Sequence, residues 1–142
     1  MIAIPRIGVE AAIVPVSTGP FGELEVPGSW TDVAWYQGGP SPGQAGSSVL
    51  AAHVDFNGHA GAFFRLRELR AGDLLVVVGI DGSSRPFIVL ANQQLAKAAL
   101  PTGELFRADG DPVLRLVTCG GSFDFRDHRY SDNVIVTAVP VR

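Results

Sequence analysis

Val113-Leu114-Arg115-Leu116-Val117-Thr118-Cys119-Gly120-Gly121 reads as a β-strand closed by a turn. The run is short, rich in Val and Leu, and stopped by two glycines, which favours a strand over a helix. It is almost wholly apolar, as expected of a strand buried on both faces in a closed barrel with covering loops. The same form recurs along the chain. Strands are expected at Ala12–Val16, Ser47–Ala52, Leu74–Gly79, Pro86–Ala91, Val113–Thr118 and Val134–Val139, with shorter pieces at Ile2–Ile4 and Val33–Tyr36. Seventeen glycines and ten prolines punctuate them, so the fold class is all-β with many turns. Asp81-Gly82 predicts a hairpin turn, because both residues tolerate positive φ. Helix is confined to one turn within Phe63–Leu69 and another near Gly103–Phe106, inside a long connection from Gln93 to Gly110.

A length of 142 residues suits one domain, 1–142, with a continuous core. The formal charge of -3 comes from a mixed scatter of charges with no basic stripe, which argues against nucleic acid as a partner. No stretch approaches the roughly 20 apolar residues of a membrane-spanning helix. Met1 to Pro5 lacks the features of a secretion signal, so any leader or membrane anchor is expected outside this chain. The single cysteine, Cys119, excludes an internal disulfide and a multi-cysteine zinc site. Asp55, His59 and Asp73 are scattered rather than clustered, and no glycine-rich phosphate loop occurs. Neither a metal nor another cofactor is expected.

Cys119 and His53 each follow an apolar run, Val113 to Thr118 and Val49 to Ala52 respectively. A cysteine in such a place is often only a small buried hydrophobe, and a lone histidine is usually a surface or hydrogen-bonded residue; His59 and His128 are the alternatives. Together, one Cys and one His ending two buried strands can meet across a barrel rim as the nucleophile and proton carrier of acyl transfer.

The local strings add a resemblance. Leu116-Val117-Thr118-Cys119 resembles the Thr-Cys motif of sortases, and Ala52-His53 resembles their Gly-His or Ala-His motif. Thr118-Cys119-Gly120-Gly121-Ser122-Phe123-Asp124, followed by Tyr130-Ser131-Asp132-Asn133-Val134-Ile135-Val136, is similar to the class F sortases of actinobacteria. Ile4 to Val9, Val26-Pro27, Ala34-Trp35-Tyr36, Pro42 to Ser47 and Gly72-Asp73 extend the likeness over nearly the whole chain. The resemblance implies a closed eight-stranded barrel and a membrane-anchored enzyme on the extracellular face of the cytoplasmic membrane. It implies a cysteine that attacks the Thr-Gly bond of an LPXTG-type sorting signal, a histidine that protonates the leaving amine, and a cell-wall amine that resolves the thioacyl enzyme.

It also implies an arginine on the strand after the cysteine. The expected register falls near Asp132 and Asn133, so Arg129, which is nearer the strand, is the first candidate and Arg126 the alternative. A bulged lead into the strand would bring either towards the cysteine; Arg115 is a weaker third. Thr118 is a candidate for binding the substrate backbone, and Asp55 for orienting His53. Two other functions compete. One is an L,D-transpeptidase of peptidoglycan, whose Ser-x-Gly-Cys-x-Arg string is missing here; the other is a non-catalytic β-barrel with a merely buried Cys and His.

Overall fold

The computed structural model describes residues 1–17, 31–53, 55–56, 59–96, 102–124 and 129–141, and for 55, 56, 59, 102, 119–124 and 129–131 it describes backbone position. Eleven strands are present among them: β1 Ile2–Ile4, β2 Val9–Ala11, β3 Ile13–Val16, β4 Val33–Tyr36, β5 Ser47–Ala51, β6 Asp55–Phe56, β7 His59–Ala60, β8 Leu74–Val78, β9 Ser84–Ala96, β10 Val113–Asp124 and β11 Arg129–Pro140. Among the described residues the one α-helix, α1, is the single turn Thr102–Leu105, and 3-10 turns occupy Pro5–Ile7 and Leu66–Glu68. The two helical turns expected near Phe63–Leu69 and Gly103–Phe106 are therefore present, slightly displaced.

Nine strands form one sheet in the order β2-β1-β8-β9-β11-β10-β5-β4-β3, and β6 and β7 form a separate ribbon. The two edges of the large sheet, β2 and β3, are parted in sequence by Ala12 alone. One stretch of chain thus passes from the first edge to the last, and the sheet nearly closes into a barrel. The count is nine rather than the expected eight because Val9–Ala11, not expected as a strand, pairs with β1. Ala12, whose carbonyl accepts from the Val33 amide, separates it from β3, which occupies the strand expected at Ala12–Val16.

Two other strands outrun their expected ends. β9 continues through the polar residues Asn92 to Gln94 because each is paired to β11, Asn92 with Val136 and Gln94 with Val134. β10 does not end at Thr118 but continues through Cys119 to Asp124, laddered to β11 with a register shift between Gly120 and Phe123. Between those pairs β10 holds two residues where β11 holds one, so the irregularity is a bulge. The hairpin at Asp81-Gly82 is as expected: Gly82 has φ 83°, and Asp81 accepts from the Ser83 amide and hydroxyl at 3.0 and 2.7 Å. Those two donors hold the Asp81 carboxyl below its ordinary pKa.

Strand alternation sorts the side chains into two layers. Leu50, Ala52, Leu114, Leu116, Val134, Val136 and Ala138 join Ile2, Ile4, Phe63, Leu66, Leu69, Leu75 and Phe87 in the main core. Each large aliphatic or aromatic side chain so buried contributes about 1.5–3 kcal/mol. The intervening residues Val49, Ala51, Val117 and Ile135 form a second cluster with Leu105 of α1, against which Tyr36, Leu95 and Phe106 pack. β5 is accordingly buried along its whole length, as its near-continuous apolar sequence requires. The segment around Leu66–Glu68 buries Phe63, Leu66 and Leu69 in this core, and Asn92 fastens it by donating to the carbonyls of Leu66 and Leu69 at 3.1 and 2.8 Å.

Candidate active site

The site is built where β5 and β10 run side by side. They pair in parallel from Val113 opposite Ser47 to Val117 opposite Ala51. The Ala52 amide then donates to the Val117 carbonyl at 3.2 Å, and the Thr118 hydroxyl donates to the Ala52 carbonyl at 2.7 Å. Continued by two residues, this register sets Cys119 level with His53. The parity also matches: Ala52 lies in the main core with Leu50, so alternation assigns position 53 to the layer of Val49 and Ala51, and position 119 to that of Val117.

Thr118 is buried, 3 % exposed. Its hydroxyl is given to the carbonyl of the peptide that leads into His53, so it ties the two strand ends together. His53 is half-buried, and its own carbonyl accepts from the Phe63 amide at 3.2 Å. Gly61 makes that closure possible. A Cβ there would stand 2.1 Å from the His53 carbonyl oxygen, which no side chain tolerates. Gly61 is a residue that sequence reasoning passes over, since nothing in its local string reports the close approach.

On the other flank, Cys119 pairs with Asn133 of β11, and Asn133 pairs in turn with Leu95 of β9. Asn133 is one of few buried polar residues, and its side-chain amide donates to the Thr118 carbonyl at 3.3 Å. Below this row, Ala51, Val117 and Ile135 make an apolar floor, and α1 closes its far end. Ser47 donates its hydroxyl to the Leu105 carbonyl, and the Phe106 ring stands edge-on to Tyr36 with centroids 5.5 Å apart.

The candidate arginines occupy different places. Arg129 opens β11 opposite Asp124, beyond the bulge; on β11 it shares the parity of Asn133 and Ile135, four residues from Asn133 or about 13 Å along an extended strand. Arg126 and His128, like Val26-Pro27, lie outside the described residues. Arg115 sits in β10 four residues before Cys119 and is already engaged, donating to the Thr137 hydroxyl at 2.7 Å and to the Glu104 carboxylate of α1 at 3.3 Å. Burial lowers its pKa, with Glu104 opposing the shift. Arg115 therefore anchors α1 over the floor. Asp55 and His59 fall on the β6 and β7 ribbon that follows His53.

This architecture has counterparts of known kind. The family model described as the sortase domain matches residues 2–141. Among solved structures, the chain is similar to sortase C2 of pilus island 1 from group B Streptococcus, at TM-score 0.72 and 22 % identity, covering 99 % of this chain and 72 % of that one. It is similar to a lid mutant of sortase A from Corynebacterium diphtheriae, at TM-score 0.74 and 20 % identity over 99 % and 68 %. Sortase C-1 from Actinomyces oris gives TM-score 0.71 and 23 % identity over 99 % and 72 %. No curated protein sequence matches the chain. Identities this low carry the barrel fold, whereas the family model spans almost every residue of the sequence: the chain belongs to the sortase family of cysteine transpeptidases.

Proposed function

We propose that this domain, residues 1–142, cleaves the Thr-Gly bond of an LPXTG-type sorting signal and transfers the acyl fragment to a cell-wall amine, with Cys119 as nucleophile and His53 as its proton carrier. The observation that carries the reading is the parallel register of β5 and β10, which levels Cys119 with His53 above an apolar floor. A free thiol, pKa about 8.5, is thiolate only in small part at neutral pH, and a neighbouring imidazolium favours the thiolate. The thiolate attacks the Thr carbonyl carbon, the C–N bond to Gly breaks, and His53 gives its proton to the departing amine. The thioester is then attacked by the acceptor amine, whose proton returns to His53 as the thiolate leaves.

Arg129 is the proposed donor to the oxyanion, on the strength of its parity with Asn133 and of its place on β11 just beyond the β10 bulge. Arg126 is the alternative. Thr118 touches substrate, in this reading, only through its backbone, because its hydroxyl serves the Ala52 carbonyl. The strings from Thr118 to Asp124 and from Tyr130 to Val136 support a class F assignment and an actinobacterial, Gram-positive setting. Among the described residues no helix is long and apolar enough to cross a membrane, and an anchor outside this chain would hold the domain at the extracellular face. The test is incubation with a Leu-Pro-x-Thr-Gly peptide and an amine, read by mass spectrometry. A peptide–amine product through the Thr carbonyl is expected; an intact peptide across varied sorting motifs would overturn the substrate assignment.

A further inference from the structure

Cys119 and Asn133 are direct partners across the β10–β11 ladder. The carbonyl of Val117 is taken by β5 through the Ala52 amide, so Val117 faces away from β11 in its hydrogen bonding, and so does Cys119 two residues on. The Cys119–Asn133 pair is therefore a non-hydrogen-bonded one, the closer kind, with Cα atoms about 4.5 Å apart. Asn133 is 9 % exposed, next along the strand face to the apolar cluster of Ile135 and Val117. Burying an amide there is unfavourable unless it is hydrogen-bonded. One bond it makes, 3.3 Å to the Thr118 carbonyl, falls on the peptide unit that ends at the Cys119 nitrogen. The Thr118 hydroxyl makes the matching bond to the peptide unit that ends at the His53 nitrogen.

We infer that Asn133 is a positioning residue for the nucleophile: its amide fixes the Thr118–Cys119 peptide and keeps a neutral, uncharged group across the ladder from Cys119. The inference rests on the reading of Cys119 as nucleophile. Asn133 stands near the register where the resemblance would place an arginine, and its short amide bonds the backbone of the facing strand. Among the described residues, the titratable groups that the strand register sets near it are Cys119 across the ladder, His53 on the far side of Cys119, and Asp132 beside it, whose carboxylate accepts from Gln94 at 3.0 Å.

The test measures acylation by a Leu-Pro-x-Thr-Gly peptide in single turnover, alkylation of Cys119 by iodoacetamide, and melting temperature. Asn133→Ala should slow acylation about tenfold, as expected for one lost hydrogen bond at the nucleophile. Asn133→Asp keeps the shape but exchanges the donor for a charge, so its ionised form should acylate and alkylate slowly, because a like charge disfavours the thiolate. Its deficit against the native protein should narrow as pH falls and the carboxyl gains a proton that it can donate to the Thr118 carbonyl. A purely structural role would give a deficit independent of pH. Should Asn133→Ala be unfolded at the assay temperature, Asn133→Asp and Asn133→Thr, which retains a donor, decide. Native rates in the folded variants, or a pH-independent deficit in Asn133→Asp, would overturn the inference. If the native protein itself forms no adduct at Cys119, the nucleophile assignment has failed instead.

Discussion

The inner and outer layers of the β5–β10–β11 sheet differ in what they ask of adjacent residues. Inside, Leu50, Ala52, Leu114, Leu116, Val134 and Val136 are packed into the main core, and the polar Thr118 has its hydroxyl committed to Ala52. Outside, the apolar row Ala51, Val117 and Ile135 ends at positions 53, 119 and 133, where apolar residues give way to His, Cys and Asn. Neighbours in sequence thus serve opposite layers. Thr118 and Ala52 tie the two strand ends together from within, next to positions 119 and 53. In the proposed reading, rigidity comes from the inner layer and chemistry from the outer one, which is how a strand holds a reactive group more tightly than a loop does.

The sharpest way to break this contrast is at the outer layer. His53→Ala should lower acylation by about 10²-fold to 10⁴-fold, the range for loss of a general acid, with little change in melting temperature. Equal loss in His59→Ala or His128→Ala, with His53→Ala active, would dissolve the pairing. Arg129→Ala should slow acylation by about 10²-fold, as for a removed oxyanion donor, and Arg129→Lys should restore little, because a point charge does not reproduce the planar guanidinium. A mild Arg129→Ala with a crippled Arg126→Ala would move the role to Arg126. The inner layer should answer differently. Thr118→Val keeps the shape but strips the Ala52 carbonyl of a donor, so it should destabilise the fold by about 1–3 kcal/mol with a smaller effect on rate than either outer change. Denaturant titration beside single-turnover kinetics separates the two, and a large rate loss at unchanged stability would return Thr118 to direct substrate binding.

The layers were not equally legible in the sequence. The inner one was largely readable, since apolar runs such as Ser47–Ala52 and Val134–Val139 report strands directly, and the Asp81-Gly82 turn carries its own chemistry. Cys119 and His53 stood out because each closes such a run. What sequence could not report was pairing. Cys119 was expected at a strand end, yet β10 continues through two glycines because β11 supplies a partner for most of that stretch, and cross-strand pairing outweighs local preference. Likewise Gln93 to Ala96, the start of the expected long connection, is strand. Asn133 and Gly61 acquire their importance from residues distant in sequence, Thr118 and His53, and no local string encodes a register or a close approach.

The central claim is that Cys119 carries the acyl group. Reacting the protein with a Leu-Pro-x-Thr-Gly peptide without an amine, quenching in acid and mapping the digest by mass spectrometry tests it directly. The account predicts the peptide's N-terminal fragment, through Thr, bound as a thioester to the segment containing Cys119, absent in Cys119→Ala and released by added amine. An acyl group mapped elsewhere, or turnover retained in Cys119→Ala, would contradict it.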